Sequence, residues 1–127
     1  MKKSWLAAVV AIGSLSLSVS ALAADMSKSG IYQVSEINIL PTAMAHGGTV
    51  STLYRQLIAG LRKEPGLINV EVTQQIGQPY NFSLIEQWQD QASLDAASAS
   101  SETREFESKL QPLLSGPVYQ RVFGVFE

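Results

Sequence analysis

Two hydrophobic periodicities alternate between residues 31 and 126, and their order constrains the fold more than any other feature of the sequence. A period of two residues predicts a strand, and a period of about 3.6 residues predicts a helix. This β-α-β-β-α-β order predicts an α+β, ferredoxin-like domain with a four-stranded antiparallel sheet. The predicted segments are, in chain order, residues 31–40, 50–61, 67–74, 81–88, 102 to the Gly116-Pro117 break, and 118–126.

Residues that cap or interrupt regular structure mark the ends of these segments. Thr49 follows a glycine-rich turn and is the candidate N-cap of the first helix, which Glu64-Pro65-Gly66 ends. Gly77-Gln78-Pro79 predicts a turn that joins the second and third strands as a hairpin. Asp90 is the candidate cap of a short helical piece that reaches Ala97.

The N-terminal segment has the three parts of a cleavable export signal. Lys2 and Lys3 precede an uncharged, largely apolar stretch that ends in the small residues Ala21-Leu22-Ala23. The alternative is an uncleaved membrane anchor, because a spanning helix needs ~20 apolar residues. We expect cleavage, and therefore a periplasmic or secreted protein with no membrane association afterwards. The expected organisation is a signal peptide over residues 1–23, a flexible leader over 24–30 and one domain over 31–127.

The charge balance and the missing cysteines exclude several classes of function. Removal of Lys2 and Lys3 from the nine basic residues leaves seven against eleven acidic residues. The basic residues are scattered, whereas a nucleic-acid surface needs them clustered, so we expect no nucleic-acid partner. The chain has no cysteine, which excludes disulfides and thiolate metal sites.

A four-stranded sheet with both helices on one face leaves its other face uncovered. The third strand carries Leu84, Glu86 and Trp88 on one face and Ile85 on the other, so both faces hold apolar side chains. A second copy of the sheet is the simplest cover. We therefore expect a homodimer whose two sheets meet as an α+β barrel.

Several motifs resemble the antibiotic biosynthesis monooxygenase domain family, and within it quinol monooxygenase-like proteins. They are Glu64-Pro65-Gly66, the strand from Phe82 to Trp88, Asp90 with Leu94, and Phe106 with Leu110. The resemblance covers nearly all of residues 31–126 and implies a dimeric α+β barrel. It also implies cofactor-independent oxygenation, in which a base converts an electron-rich substrate to an anion that dioxygen oxidises.

The resemblance places two candidate site residues on the third strand. Glu86 and Trp88 match the family's Glu-x-Trp motif. Glu86 is the candidate catalytic base, because a carboxylate on an apolar face has a raised pKa; the alternative is a buried ion pair. Trp88 is a candidate to stack on a flat, aromatic ligand, and the alternative is a core residue.

Three further residues are candidate substrate contacts. Asn38 lies near the end of the first strand, on which some haem-degrading relatives carry an asparagine, and the alternative is a solvated or capping group. Tyr54 on the first helix is a possible pocket hydroxyl or a core residue. His46, the single histidine, lies in the turn before that helix, where it either reaches a pocket mouth or is exposed.

The sequence departs from the family pattern at the usual histidine positions. Many members carry a histidine three residues beyond the leucine that matches Leu94, and a second near the next helix start; here those positions are Ala97 and Ser101 or Glu102. Because haem iron in such sites is commonly held by histidine, we expect no haem binding.

Two functions remain open on these observations. One is a cofactor-independent monooxygenase that acts on a quinol or polyphenol, a small aromatic molecule. The other is a non-catalytic dimeric module of the same fold that binds a small molecule or acts in stress. The sequence has no phosphate-binding glycine loop and no serine-hydrolase turn, and one histidine makes no metal cluster, so we expect no cofactor and no metal.

Overall fold

The computed structural model describes residues 30–45 and 48–126. The expected signal peptide, most of the expected leader, His46 and Glu127 lie outside the described residues. In the part of the chain that is described, no helix is long and apolar enough to cross a membrane.

Four strands form a single antiparallel sheet with the order β2-β3-β1-β4. The predicted ferredoxin-like α+β fold is confirmed, because this order places the first strand between the third and the fourth. The strands are β1 (Ile31–Asn38), β2 (Leu67–Gln75), β3 (Gln78–Trp88) and β4 (Tyr119–Gly124).

Helices cover one face of this sheet, which we call the inner face. They are α1 (Pro41–Met44), α2 (Thr49–Leu61), α3 (Gln91–Ser98) and α4 (Ser101–Leu110), followed by a 3-10 turn (Gln111–Leu113). On α2 the predicted apolar row is buried, except for the partly buried Ile58. The row packs in one cluster with Phe106 and Leu110 of α4 and with Phe82, Leu84 and Trp88 of β3. Apolar burial of this kind contributes ~25 cal/mol per Å² and is the main stabilising term of the domain.

The structure corrects one of the two predicted helix caps and confirms the other. Gly48, not Thr49, is the N-cap of α2, and no side chain caps that end. Asp90 caps α3 as predicted, since its Oδ1 accepts a hydrogen bond from the Ser93 backbone N–H at 2.8 Å. Ser100 caps α4 in the same way by accepting from the Thr103 N–H.

Three boundaries differ from the periodicity for reasons of backbone chemistry. The four-residue α1 was not predicted; Pro41 ends the predicted strand and also starts this helix, a position that needs no N–H. The strand β3 begins at Gln78, and the hairpin turn is Ile76-Gly77 instead of residues 77–79. Pro79 is tolerated because β1 pairs with β3 only up to Asn81, so one flank of this part of the strand has no ladder partner.

The last helix and the last strand are both shorter than predicted. The helix α4 ends at Leu110, and Pro112 lies in the 3-10 turn that follows, because proline cannot supply the next helical N–H. The predicted final strand over residues 118–126 is regular only from Tyr119 to Gly124.

Gly66 lies between α2 and β2, next to Ser93 in the first turn of α3. Its φ is +88°, and a Cβ atom there would lie 2.2 Å from Ser93 Oγ. Gly77 in the hairpin turn has a similar φ of +85°, but nothing lies within 4 Å of its missing Cβ. Both positions therefore disfavour a side chain through their positive φ, but only Gly66 also lacks the space for a Cβ atom.

We expect Gly66→Ala to destabilise the domain more than Gly77→Ala does. Both variants carry the left-handed backbone penalty of about 1–2 kcal/mol. Only Gly66→Ala also forces Ser93 and α3 outward, which adds a cost of about 1–3 kcal/mol for overpacking. Urea unfolding of both variants measures the difference in their free energies of unfolding. An equal loss of stability in the two variants would show that Ser93 and α3 move aside at no cost.

Candidate functional site

A cavity of about 420 Å³ lies between the inner face of the sheet and the helices. We call it the sheet–helix cavity. Its roof comes from α2 and α4 and is largely apolar, with Thr103 and Glu107 of α4 as its polar members, whereas its sheet side carries several polar groups. The sheet supplies Gln33, Ser35, Ile37, Leu84, Glu86 and Gln120, the roof supplies Leu57, Leu61, Phe106 and Leu110, and α3 with the segment before β4 supplies much of the remainder.

Glu86 is the ionisable group at the centre of this site. It lies on β3 with its side chain on the inner face, lines the cavity and is only 5% exposed. The Trp88 indole N–H donates to its Oε1 at 3.0 Å. Gln33 is its direct cross-strand neighbour on β1. Glu86 is therefore a buried carboxyl group that is oriented by a neutral donor, with the Gln33 amide on the neighbouring strand.

Burial raises the pKa of Glu86 above its ordinary value of 4.5, and the hydrogen bonds from Trp88 and Gln33 oppose this rise. Within residues 30–45 and 48–126 the ion pairs are Lys109–Glu105 and Arg121–Glu36, and neither includes Glu86. The ion-pair alternative for Glu86 thus finds no partner in this part of the chain. A carboxylate that is desolvated without a cation is a stronger base than an exposed one.

Trp88 occupies a different place from the one predicted for a ligand-stacking residue. It is completely buried and does not line the sheet–helix cavity. Its ring belongs to the core, and its N–H is used by Glu86. The position corresponds to the core alternative, and the function of Trp88 at the site is to orient the carboxylate.

The other predicted contacts are not brought together with Glu86. Asn38 pairs with Asn81 and lies on the opposite, outer face of the sheet. Tyr54 is buried between Phe82 and Phe106, with ring centroids 5.3 and 6.2 Å away, and does not line the cavity. Burial raises the pKa of Tyr54, so its phenol stays protonated. The prediction for His46 lies outside the described residues.

Polar residues that the periodicity did not single out line the cavity instead. Gln33 and Ser35 on β1 and Gln120 on β4 share the inner face with Glu86. Their signal in the sequence is the alternation of polar Gln33 and Ser35 with apolar Tyr32 and Val34. Alternation of this kind normally indicates that the polar side faces water, whereas here Gln33 and Ser35 face the cavity.

The cavity wall also includes the position at which many family members carry a histidine. Ala97 is buried on α3 and lines the cavity. Among the described residues no group of three or more His, Asp or Glu side chains is arranged to hold a metal ion. The cavity lining has two carboxyl groups, and Glu86 is the buried one, whereas Glu107 on α4 is exposed.

We expect Glu86→Gln to stabilise the fold at neutral and higher pH. A carboxyl whose folded pKa is raised binds its proton more tightly in the folded state, so its contribution is full below about pH 4.5 and is lost as pH rises through the folded pKa. Glutamine removes this loss, worth about 1.4 kcal/mol for each unit by which the pKa is raised, and can still accept from Trp88.

Urea unfolding at about pH 4 and about pH 8 measures this effect. The variant and the wild type should converge at the lower pH and separate at the higher one. Glu71→Gln, which removes an exposed carboxylate from the outer face, is the matched control and should run parallel to the wild type. A Glu86→Gln variant that is less stable at the higher pH would show that the carboxylate has a cationic partner.

Comparison with known proteins agrees with this architecture. The sequence profile described as antibiotic biosynthesis monooxygenase matches residues 33–109. A search of curated proteins gives no significant match.

Solved structures share the fold across almost their full length. A conserved protein from Methanosarcina mazei Go1 is 24% identical, with a TM-score of 0.72 over 78% of this chain and 95% of that chain. Rv0793 from Mycobacterium tuberculosis is 18% identical, with a TM-score of 0.69 over 78% and 97%. SnoaB from Streptomyces nogalater, described as a cofactor-independent oxygenase, is 12% identical, with a TM-score of 0.67 over 78% and 95%. Since the profile match spans more than half of the sequence, the chain belongs to the antibiotic biosynthesis monooxygenase family.

Proposed function

We propose that this protein is a cofactor-independent monooxygenase that oxidises a quinol or related polyphenol in the sheet–helix cavity. The observation that carries the proposal is Glu86, a buried carboxyl group without a cationic partner in the described residues, on the wall of a cavity with a largely apolar roof. A cavity of about 420 Å³ lies within the range of small-molecule sites.

Glu86 supplies the proton transfer that such a reaction needs. Its carboxylate takes the proton of one phenolic hydroxyl, and the resulting anion is electron-rich enough to be oxidised by dioxygen. Overall, one quinol and one dioxygen give one hydroxyquinone and one water. One oxygen atom forms the new C–O bond, and the other leaves as water with two hydrogens from the substrate. The substrate supplies all four electrons.

The protein's further contribution is to hold the base and keep water away. Trp88 fixes the position of the carboxylate, while Leu57, Leu61 and Phe106 form an apolar wall against a flat ring. Positioning of a base against its proton and exclusion of water are effects that need no cofactor. The family membership and the description of SnoaB as a cofactor-independent oxygenase support the same chemistry.

We also propose that the protein acts outside the cytoplasm, in the periplasm or after secretion. The support is the sequence of residues 1–23, with its basic start, apolar middle and small-residue end. Cell fractionation of the full chain, with N-terminal sequencing of the product, tests cleavage after Ala23.

A homodimer through the outer face of the sheet completes the proposal. This face carries Tyr32, Val34 and Ile85 together with Phe123, which is 46% exposed, and Tyr119, which is 60% exposed. The Arg121–Glu36 ion pair lies among them. An apolar face with one ion pair is suited to pairing with a second copy about a two-fold axis.

We expect Glu86→Gln to abolish oxygen uptake while the fold is retained. The substitution removes the proton acceptor but keeps the shape of the side chain and its hydrogen bond from Trp88. Loss of a positioned base costs typically 10²–10⁴-fold in rate. The measurement is oxygen-electrode uptake by the mature protein with a panel of quinols, and Glu71→Gln is the control that should keep full activity.

The pH profile of the same assay gives a second readout. Because the pKa of Glu86 is raised, uptake should increase as the pH rises through that value. Uptake that persists in Glu86→Gln would remove Glu86 as the base. A folded wild type that takes up no oxygen with any quinol would favour the non-catalytic binding module.

We expect the mature protein to be a dimer at micromolar concentration and Phe123→Glu to be a monomer. The new carboxylate would be buried against its symmetry mate or its neighbours in the interface, which disfavours association. Ile76→Glu at the exposed hairpin tip is the matched control and should stay dimeric. Light scattering measures the mass, and a monomeric wild type would contradict the outer-face interface.

A further inference from the structure

A buried serine and a buried glutamate line the sheet–helix cavity. They are Ser35, 1% exposed, and Glu86, 5% exposed. Ser35 follows the half-buried Gln33 and precedes the buried Ile37 on the inner face of β1. An apolar residue there would pack against the same roof without a polar group to satisfy, so the hydroxyl calls for a specific partner.

The strand register sets the spacing between these two groups. Leu84 lies directly opposite Ser35, and Glu86 is two residues further along β3. Ser35 and Glu86 are therefore diagonal neighbours on one face, with Cα atoms ~7–8 Å apart. The Glu86 carboxylate is held in place by Trp88, and the serine side chain is short. Two separate atoms of one flat ligand fit this spacing better than a single atom.

Gln120 orients the Ser35 hydroxyl. Gln120 lies opposite Ser35 on β4, and its Nε2 donates to Ser35 Oγ at 3.2 Å. A hydroxyl has one proton and two lone pairs, and this bond uses one lone pair only. Among the described residues no acceptor is found for the Ser35 proton. That proton is thus available to an acceptor in the cavity.

We propose that Ser35, oriented by Gln120, donates a hydrogen bond to a second substrate oxygen, at the end of the ring remote from Glu86. The site then selects aromatic rings that carry two oxygens on opposite sides, para-quinols, over rings that carry one. This inference rests on the proposed function, since it names the substrate class of the same site. Glu86 takes the proton of the first oxygen, and Ser35 donates a hydrogen bond to the second.

The test is anaerobic binding, which separates recognition from turnover. The probes are naphthalene-1,4-diol and 1-naphthol, which differ only in the second oxygen, and calorimetric titration gives their dissociation constants. One neutral hydrogen bond contributes about 1 kcal/mol, which corresponds to a preference of about fivefold for the diol. Ser35→Ala should reduce this preference to none by weakening only the diol.

Matched variants distinguish recognition from a general effect on folding. Ser83→Ala removes a hydroxyl from the outer face of the same sheet and should keep the wild-type preference. Ser35→Thr restores a hydroxyl and should restore much of the preference. Gln120→Leu, at an exposed edge-strand position, should lower the preference, because the Ser35 hydroxyl then rotates without the hydrogen bond that orients it.

The outcomes separate this inference from the proposed function. A wild type that binds both probes equally, or binds neither, overturns the role of Ser35, and so does a Ser35→Ala variant that retains the preference. Binding with a preference that Ser35→Ala removes, together with no oxygen uptake by the wild type, would support Ser35 while the oxygenase proposal fails. Oxygen uptake by a wild type that shows no preference for the diol would support the oxygenase proposal and overturn the role of Ser35.

Discussion

The hydrogen bond from the Trp88 indole to the Glu86 carboxylate is the interaction on which the site depends. The two residues lie two positions apart on β3, so their side chains share the inner face and meet at 3.0 Å. An ionised carboxyl in an apolar interior costs several kcal/mol unless it is hydrogen-bonded or paired. Trp88 supplies the bond from a completely buried position, where water does not compete for it. The core thus holds the carboxylate in one orientation.

This arrangement balances two opposite effects on the pKa of Glu86. Burial raises it, whereas neutral donors such as Trp88 and Gln33 lower it. A lysine or arginine partner would have held the carboxylate ionised and weakened it as a base. Neutral donors fix its geometry and still leave it able to exchange a proton with a ligand. The same choice costs stability at neutral pH, which is a common trade at functional sites.

The sequence predicted the scaffold well because the scaffold is a matter of local pattern. Periods of two and 3.6 residues identified all four strands and the helices α2 and α4, and the face shared by Leu84, Glu86 and Trp88 followed from alternation alone. The details that the sequence did not predict depend on neighbouring strands and on backbone geometry. Pro79 is admissible in β3 only because β1 has already ended there, and Gly48 replaces Thr49 as a cap through backbone geometry.

The site was only partly predictable for a related reason. A cavity is made by pairs of elements far apart in sequence, and its lining is set by register and helix packing, which no local pattern contains. Trp88 was a natural candidate for a ligand contact, yet it fills the core beneath the carboxylate. Asn38 has a polar side chain that could bind a ligand, but it lies on the face of the sheet opposite to Glu86, because the even-numbered residues of β1 face outward.

The parity of β1 also explains why its polar residues were overlooked. On a strand with one wet face, polar positions normally mark the solvent side, but here Ser35 lies in the core row and Tyr32 lies on the outer face. This inversion is local to residues 32–35, since the buried Ile37 follows on the inner face, and it is consistent with the proposal that a second copy covers the outer face. An uncovered outer face would leave Phe123 and Tyr119 in water while a serine occupied the interior. The polar cavity floor and the apolar outer face are therefore two consequences of one strand pattern, and they link the ligand site of each chain to the proposed pairing of two chains.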